Sequence, residues 1–279
     1  MRVTAIDSHV HIWDRSRGEI FIAEQQFPAL TGKAFLPQDL EPVLFETNAE
    51  SAVLVHGPAT VDHALHCLEL CHAHACFRSV VGWVDLRSAD PAALLDQQAR
   101  DRAFRGVRFT PMLDADPEDY LRSDAALRIC DALRTGGALV EILAPPPLFD
   151  AVAALAIAHP DLPVVLAHFG LPDTNPDSFA DWQRSMAELA ALPNVKVKLS
   201  GLPLTGRQER DRPFAQAHVA AMLKLFGADR LLYASNWPVA TALVSPRRWR
   251  ELLDEVLQAE GVPQADQEAI YRTNALQLY

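Results

Sequence analysis

The chain has 279 residues, with 25 lysines and arginines against 36 aspartates and glutamates, and its formal net charge is −11. This acidic balance argues against binding to nucleic acid or to an anionic membrane surface, because both depend on clustered basic residues that displace counterions from phosphates. With 49% hydrophobic and 22% charged residues, the composition is that of a globular protein with a sizeable core and excludes a disordered or fibrous chain.

Eight short runs rich in β-branched and other apolar residues recur along the chain, about 35 residues apart on average (279/8). They cover residues 3–6, 52–55, 80–84, 106–109, 139–143, 164–167, 195–199 and 231–234. This spacing accommodates a strand, a crossover helix and two loops, which is typical of successive parallel strands. It predicts a single-domain (β/α)8 TIM barrel over residues 1–279. A doubly wound open sheet is the main competitor, but no Gly-x-Gly-x-x-Gly follows the first strand.

Longer Ala- and Leu-rich segments with a helical period separate these runs. The predicted helices cover residues 37–48, 62–75, 91–102, 124–135, 147–159, 178–191, 215–226 and 246–258. The last begins with Ser245 and Pro246, an N-cap residue followed by proline at the first helical position. The aromatic segment 16–37 lies between the first strand and the first helix, and we expect it to fold over the mouth of the barrel.

Cysteine usage and the absence of a leader-like segment point to a cytoplasmic protein. Cys67, Cys71, Cys76 and Cys130 are too few for a disulfide framework, so we expect reduced thiols. No apolar run approaches the ~20 residues that a membrane span needs, and no signal-peptide pattern opens the chain. At helical spacing His63, Cys67 and Cys71 share one face, but the segment fits an ordinary barrel helix with small buried thiols and exposed histidines better than a zinc site.

Polar residues lie at or after the carboxyl end of every predicted strand. In chain order they are Asp7, His9 and His11, then His56, then Trp83 and Asp85, then Arg108 and Thr110, then Glu141, then His168, then Lys198 and Ser200, and finally Ser235, Asn236 and Trp237. In a closed barrel, chemistry is done at this end of the strands. The sequence therefore predicts that these side chains converge on one pocket.

Three histidines form the candidate centre of that pocket. His9 and His11 are two residues apart on an extended segment, so both side chains project from one face and can meet one metal ion. His168, from another strand, would supply a third nitrogen atom. A His-x-His pair alone often only hydrogen-bonds its surroundings, and the position of His168 strengthens the functional interpretation.

The stretch Ile6-Asp7-Ser8-His9-Val10-His11-Ile12-Trp13-Asp14 resembles the opening motif of the amidohydrolase-2 group, which contains sugar-acid lactonases and 2-pyrone-4,6-dicarboxylate lactonase. Further matches, in the order of the family, are Gly82-Trp83-Val84-Asp85-Leu86, Gly106-Val107-Arg108-Phe109, Ala167-His168-Phe169-Gly170, Lys198-Leu199-Ser200-Gly201-Leu202 and Leu232-Tyr233-Ala234-Ser235-Asn236-Trp237-Pro238-Val239. The resemblance implies a distorted TIM barrel that hydrolyses a small cyclic ester. Some members need a divalent metal, here zinc or manganese at His9, His11 and His168, and others need none.

The chain departs from the family pattern after strand eight, where Asn236 replaces the aspartate that serves the family as general base. An amide cannot take a proton from water near neutral pH. Three alternatives follow. The base lies elsewhere, with Glu141, Asp85 or a neutral histidine as candidates; or the protein does not hydrolyse its ligand; or the asparagine is an engineered replacement that traps substrate.

We therefore expect a hydrolase that opens a small, carboxylated cyclic ester, with His9, His11, His168, Asn236 and Glu141 as catalytic candidates. Arg108 suits a substrate carboxylate because its planar fork pairs with two oxygen atoms, although a buried structural ion pair is the alternative. The other residues expected to shape the pocket are His56, Trp83, Asp85, Thr110, Lys198, Ser200 and Trp237. The alternative functions are a metal-dependent decarboxylase, a hydratase, a cyclase or an inactive barrel that binds a small acid. The partner is a small molecule, and the chain acts as a monomer or homo-oligomer.

Overall fold

In the computed structural model, which describes residues 2–279, eight parallel strands form one sheet that rolls into a barrel surrounded by helices, as predicted. The strands are β1 (Ala5–Val10), β2 (Ala49–Val55), β3 (Phe77–Gly82), β4 (Phe104–Phe109), β5 (Leu139–Ile142), β6 (Val164–Leu166), β7 (Val195–Leu199) and β8 (Leu231–Tyr233). Each strand pairs in parallel with the next one along the chain. Helices on the outside cover the barrel, which is why most strand residues are apolar and buried on both faces.

The first and last strands meet beyond the end of β8. Val10 pairs with Trp237 in a parallel bridge, and the backbone N–H of Asn236 donates to the carbonyl of His9 over 3.0 Å. Strand β1 also starts later and ends later than predicted, so that Asp7 and His9 lie on the strand and not after it. The prediction was wrong there because these polar residues interrupt the apolar run, although all of them are buried inside the barrel.

The helices are α1 (Ala23–Gln26), α2 (Pro37–Thr47), α3 (Val61–Ala73), α4 (Pro91–Ala99), α5 (Pro117–Arg122), α6 (Asp124–Thr135), α7 (Phe149–Ala158), α8 (Phe179–Ala190), α9 (Gln208–Phe226), α10 (Pro246–Ala259), α11 (Gln264–Glu268) and α12 (Asn274–Leu278). Ser245 caps α10 as predicted, because its hydroxyl accepts from the N–H of Arg248 over 3.2 Å. Helix α9 starts seven residues before its predicted start (215 − 208), since a charged first turn and Pro213 hide it from the apolar period. Within residues 2–279 no helix is both long enough and apolar enough to cross a membrane.

The barrel interior below the strand centres is apolar, and the end of the chain contributes to it. Ala275 and Tyr279 pack against strand residues that include Ile6, Val55 and Leu232. The carbonyl of Tyr279 accepts from Nε of Arg105 at the start of β4, which places Tyr279 at the amino end of the barrel. This end is therefore closed by packing, and the opposite end is left for a ligand.

Helix α3 buries more than its thiols. Cys67 is buried and all four cysteines are free, in agreement with the expected reduced thiols. The expectation of exposed histidines is wrong at His63, which is 1% exposed. Its Nε2 lies 3.4 Å from Sγ of Cys67, and its Nδ1 lies 3.1 Å from Oε1 of Glu19 in the loop after β1. A carboxylate from that loop compensates the buried ring, a partner that the helical period alone does not reveal.

Candidate active site

A cavity of about 480 Å³ opens at the carboxyl ends of the strands. Six of the predicted site residues line it, and all six are buried at its floor, each at most 7% exposed. These lining residues are His11, His56, Arg108, Thr110, His168 and Asn236, with Ser235 beside them. The predicted convergence of side chains from different strands is therefore found for this subset. Among residues 2–279 no aspartate or glutamate lines this cavity.

The other predicted site residues do not line the cavity. They are His9, Trp83, Asp85, Glu141, Lys198, Ser200 and Trp237. His9, Glu141 and Lys198 are fully buried and form a layer beneath the floor. Asp85 accepts from the N–H of Arg87 in its own turn, and Trp237 packs edge-on against Phe35.

Two imidazoles face one another, with His11 at the floor and His9 in the layer beneath it. Nε2 of His9 lies 3.0 Å from Nε2 of His11, and Nδ1 of His11 lies 2.9 Å from the carbonyl of Val55. A carbonyl only accepts, so Nδ1 of His11 carries a proton and its Nε2 is an acceptor. Nη1 of Arg108 also points to this Nε2, over 3.4 Å. His11 thus joins the buried layer to the arginine at the floor.

The proton on His9 has two possible positions. If Nδ1 accepts from Lys198, 3.3 Å away, then Nε2–H donates to His11 and every nitrogen is paired. If Nδ1–H instead turns to Oε1 of Glu141, 2.9 Å away, the two Nε2 lone pairs face each other and a cation must lie between them. The first arrangement has better directed hydrogen bonds, because Oε1 of Glu141 lies off the N–H direction and has no hydrogen-bond partner.

The second arrangement fits a divalent metal. A carboxylate that holds Nδ1 while Nε2 faces the ion is the usual support of a metal-binding histidine. The ring of His168 lies 4.5 Å from that of His9. Across residues 2–279, however, no three His, Cys, Asp or Glu side chains are arranged to hold an ion. His9 and His11 can therefore offer two nitrogen atoms to an ion. Binding of the same ion by His168 as a third ligand stays a prediction.

Burial keeps the imidazoles neutral. It lowers the pKa of His9, His11, His56 and His168 well below the usual histidine value, and the charge of Arg108 lowers all four further, as the charge of Lys198 does for His9 and His168. A neutral imidazole offers a lone pair at neutral pH, which a base or a metal ligand needs. Burial also raises the pKa of Asp7 to about 6, against hydrogen bonds from Ser235 and His9 that lower it.

His168 is held tightly from two sides. Its Nδ1 lies 2.7 Å from Oγ of Ser200, so Nε2 is the ring nitrogen that a substrate or water can meet. Gly201 lies against the same ring, and a Cβ there would come within 2.8 Å of the His168 side chain. Both Gly201 and His168 have positive φ values, +65° and +56°. The backbone after β6 is strained at His168, which is not a glycine. The residue that faces its ring after β7 is Gly201, because a side chain would not fit there.

Asn236 shares this unusual backbone, with φ of +56°, and its side chain faces the cavity with Oδ1 unpartnered among the described residues. An amide offers an acceptor and two N–H donors but no basic lone pair. Asn236 can therefore orient a ligand or a water molecule, and it cannot remove a proton.

The loop after β1 forms part of the cavity wall, since residues 20–23 and 25–27 line it, as expected for segment 16–37. Glu19 anchors this loop: its Oε2 accepts from the N–H of Asp14 over 2.7 Å, and its Oε1 contacts His63. Burial acts to raise the pKa of Glu19, but the contacts with His63 and Asp14 prevail and lower it from 4.5 to about 2. The loop is thus tied to helix α3 by a charged contact.

Removing this charge should change the acid stability of the protein. Because the folded pKa of Glu19 is depressed, its contribution is present above about pH 4.5 and is lost as the pH falls towards 2. We expect Glu19→Gln to be less stable than the parent at pH 7, with the gap closing between pH 4.5 and 2. Denaturant unfolding across this range measures it, and a gap that does not change with pH would contradict the assignment.

Sequence reasoning missed the apolar part of the cavity. The large apolar side chains that line it are Ile20, Phe21, Ile22, Phe27, Met112, Leu113, Leu143, Leu171, Leu202, Leu204, Val239, Leu243, Val244 and Trp249. They were passed over because apolar residues are the ordinary content of a core. A usable signal was present in residues 20–27 and 111–113, where apolar side chains occur in predicted loops with no strand or helix period to bury them.

The chain is similar to known proteins along most of its length. The family model described as "Amidohydrolase" matches residues 6–279. An L-fucono-1,5-lactonase from Burkholderia ambifaria is 34% identical over 236 residues, which cover 84% of this chain and 80% of the relative. Another L-fucono-1,5-lactonase, from Burkholderia multivorans, is 27% identical over 289 residues, covering 100% of this chain and 97% of the relative.

A solved structure shares the whole fold. The crystal structure of an amidohydrolase from Burkholderia multivorans with bound zinc superimposes with a TM-score of 0.87 at 26% identity, and the match covers 99% of both chains. The likeness extends from the first strand to the last helix, so it includes every strand that contributes to the cavity.

Proposed function

The chain belongs to the amidohydrolase family that matches residues 6–279, and from this membership we propose that it is a lactonase, which opens a small cyclic ester with water. Two relatives named L-fucono-1,5-lactonase, which are named for a sugar-acid lactone, support hydrolysis of a lactone. The observation that carries the proposal is the cavity floor, where neutral imidazoles and one guanidinium lie together. Ester hydrolysis needs such a base and such a donor side by side.

His168 is the proposed general base. It lines the cavity, its burial keeps the ring neutral, and Ser200 and Gly201 fix its orientation. Nε2 takes the proton from the attacking water and returns it to the ring oxygen when the carbon–oxygen bond breaks, so that the hydroxy acid leaves and the imidazole is neutral again. Glu141 lies beneath the floor and accepts from Lys198, whose Nζ also lies 3.3 Å from Nδ1 of His9, which makes it a positioning residue in this scheme.

Arg108 is the proposed donor to the carbonyl oxygen. Its Nη1 is held by His11, and its Nε has no hydrogen-bond partner among the described residues. A buried guanidinium stabilises the negative charge that develops on the oxygen as water adds, and no reorganisation is needed at that moment. Asn236 lies on the same floor and orients the water or the ring through its amide.

A divalent metal is the proposed cofactor, supported by the zinc-bound relative and by the facing nitrogen atoms of His9 and His11. These two residues would hold it through their Nε2 atoms, which leaves Nε2 of His168 free to act as the base. When bound, the ion lowers the pKa of water towards ~7 and polarises the carbonyl. The reduced cysteines support the cytoplasm as the proposed compartment.

Turnover of a lactone panel, with elemental analysis of the purified protein, tests the proposal. We expect ester opening, seen as proton release, for at least one small lactone.

Within that panel Arg108→Ala separates the two possible roles of the arginine. If it binds a substrate carboxylate, kcat/KM for carboxylated lactones falls at least about tenfold more than for their neutral esters. An equal loss for both would reject the carboxylate role and assign Arg108 to the reacting carbonyl.

A further inference from the structure

Polar and apolar residues are unevenly distributed within the cavity, whose lining also includes Gln25, Gln26 and Thr60. The floor holds the buried polar side chains, from His11 at 1% exposed to Asn236 at 7%. The wall and mouth are built mainly from aliphatic and aromatic side chains contributed by the loops after β1, β4, β7 and β8. A ligand that fills the cavity therefore meets hydrogen-bonding groups at one end and apolar surface at the other.

The mouth exposes large apolar side chains to solvent. Across residues 2–279 there are seven exposed large hydrophobic residues, and five of them line this cavity: Ile20, Ile22, Met112, Leu113 and Leu243. The other two, Phe45 and Ile157, lie elsewhere. An exposed apolar patch rimmed by polar surface marks a binding site. We call these five residues the apolar rim.

The floor alone offers hydrogen-bonding partners to a polar head group. Three of its buried polar atoms have no hydrogen-bond partner among the described residues: Nε2 of His56, Nε of Arg108 and Oδ1 of Asn236. The lactone carbonyl supplies an acceptor for Arg108, and the attacking water, which gives one O–H to His168, supplies a donor for either His56 or Asn236. Hydroxyl groups farther along the ligand would lie mainly against apolar wall residues, and each one left without a hydrogen-bond partner there lowers the affinity.

We propose that the substrate is a lactone whose polar ring sits at the floor and whose alkyl substituent of several carbons lies against the apolar rim. This inference rests on the proposed lactonase function, and its substrate class differs from the sugar-acid lactone of the two relatives' names because most residues that line this cavity are apolar. The volume of about 480 Å³ falls in the range of sites that bind ligands larger than an unsubstituted ring. Burial of the substituent supplies the binding free energy that a polyhydroxylated ring would have to draw from hydrogen bonds.

The test is a series of δ-lactones with unbranched alkyl substituents from methyl to hexyl, compared with a hexono-1,5-lactone. We expect kcat/KM to rise about two- to fourfold per added methylene until the cavity is filled. A flat series together with faster opening of the hexonolactone would overturn the substrate class and leave the lactonase function intact.

A matched pair of variants locates the effect. Ile20 and Ile157 are the same residue type with nearly equal exposure, 62% and 64%, but only Ile20 lines the cavity. Ile20→Asn should flatten the dependence on chain length, and Ile20→Asn combined with Leu113→Asn should flatten it further. Ile157→Asn should leave it unchanged. The same slope in all three proteins would place the alkyl group away from the rim and contradict the proposal.

Binding keeps the two proposals separate if no lactone is opened. In that case the proposed function falls, and the affinities of alkyl-substituted δ-lactams, which have no labile ester, test the substrate shape alone by calorimetry. Affinity that rises with chain length in the parent and not in Ile20→Asn supports the apolar site. Affinity independent of chain length overturns it.

Discussion

Replacing His168 by asparagine should reduce kcat for lactone opening about 10²- to 10⁴-fold, the usual contribution of a general base. Asparagine suits the test because it tolerates the left-handed backbone at this position, where φ is +56°, and because it has no basic nitrogen. The measurement is the steady-state rate at neutral pH on the best lactone of the panel, with the unfolding midpoint recorded beside it.

His159→Asn is the matched control. His159 is also 4% exposed, but it lies at the carboxyl end of α7, at the other end of the barrel, with Nδ1 bonded to the carbonyl of Leu155. The His159→Asn variant should keep the parent's kcat even if its free energy of unfolding is lower. A His168→Asn enzyme that retains more than about a tenth of the parent rate would remove His168 from the role of base and leave His11 or His56 as the candidates.

Replacing Lys198 by methionine should lower the free energy of unfolding by about 3–5 kcal/mol, the effect of removing one partner of a buried ion pair. Lys198 is fully buried. Its Nζ donates to Glu141 and, over 2.6 Å, to the carbonyl of Ser8. Without the ammonium group, Glu141 keeps only Arg108, whose Nε is 4.0 Å away, as a cationic partner. Guanidinium unfolding measures the loss.

Two further variants show that the loss comes from an unpaired charge. Lys198→Met combined with Glu141→Gln should regain part of the stability, and it remains informative if the single variant fails to fold. Arg184→Met breaks a pair with Asp181 in which both side chains are more than 70% exposed, and it should cost at most about 1 kcal/mol. A Lys198→Met loss as small as that of Arg184→Met would contradict the charge argument.

The order of the elements could be read from the sequence because burial on both faces makes each strand a continuous apolar run. The runs 139–143 and 195–199 coincide with β5 and β7 to within one residue. The same signal misplaced β1, where Asp7 and His9 point into the barrel and interrupt the run. Wherever the interior is polar, hydrophobicity no longer marks the strand, and this is the region where the candidate site lies.

The site was predicted in part for a related reason. A residue's position near the end of a strand does not say at which height of the barrel its side chain ends. Glu141 and Lys198 are the next-to-last residues of their strands and lie in the layer below the cavity, whereas His168 and Asn236 follow their strands and reach it. The sequence named the polar residues of both layers, and only the three-dimensional arrangement separates them.

The floor of the cavity is carried mainly by the strands and the residues just after them, and the rim is carried by longer loops. Substitutions of exposed loop side chains usually change folding stability by no more than about 0.5 kcal/mol, whereas the buried floor tolerates little change. A duplicated gene for this protein can therefore accumulate rim substitutions and acquire a new substrate preference before its chemistry is affected. Diversification within the lineage should accordingly concentrate in these loops, while the histidines and the arginine stay fixed.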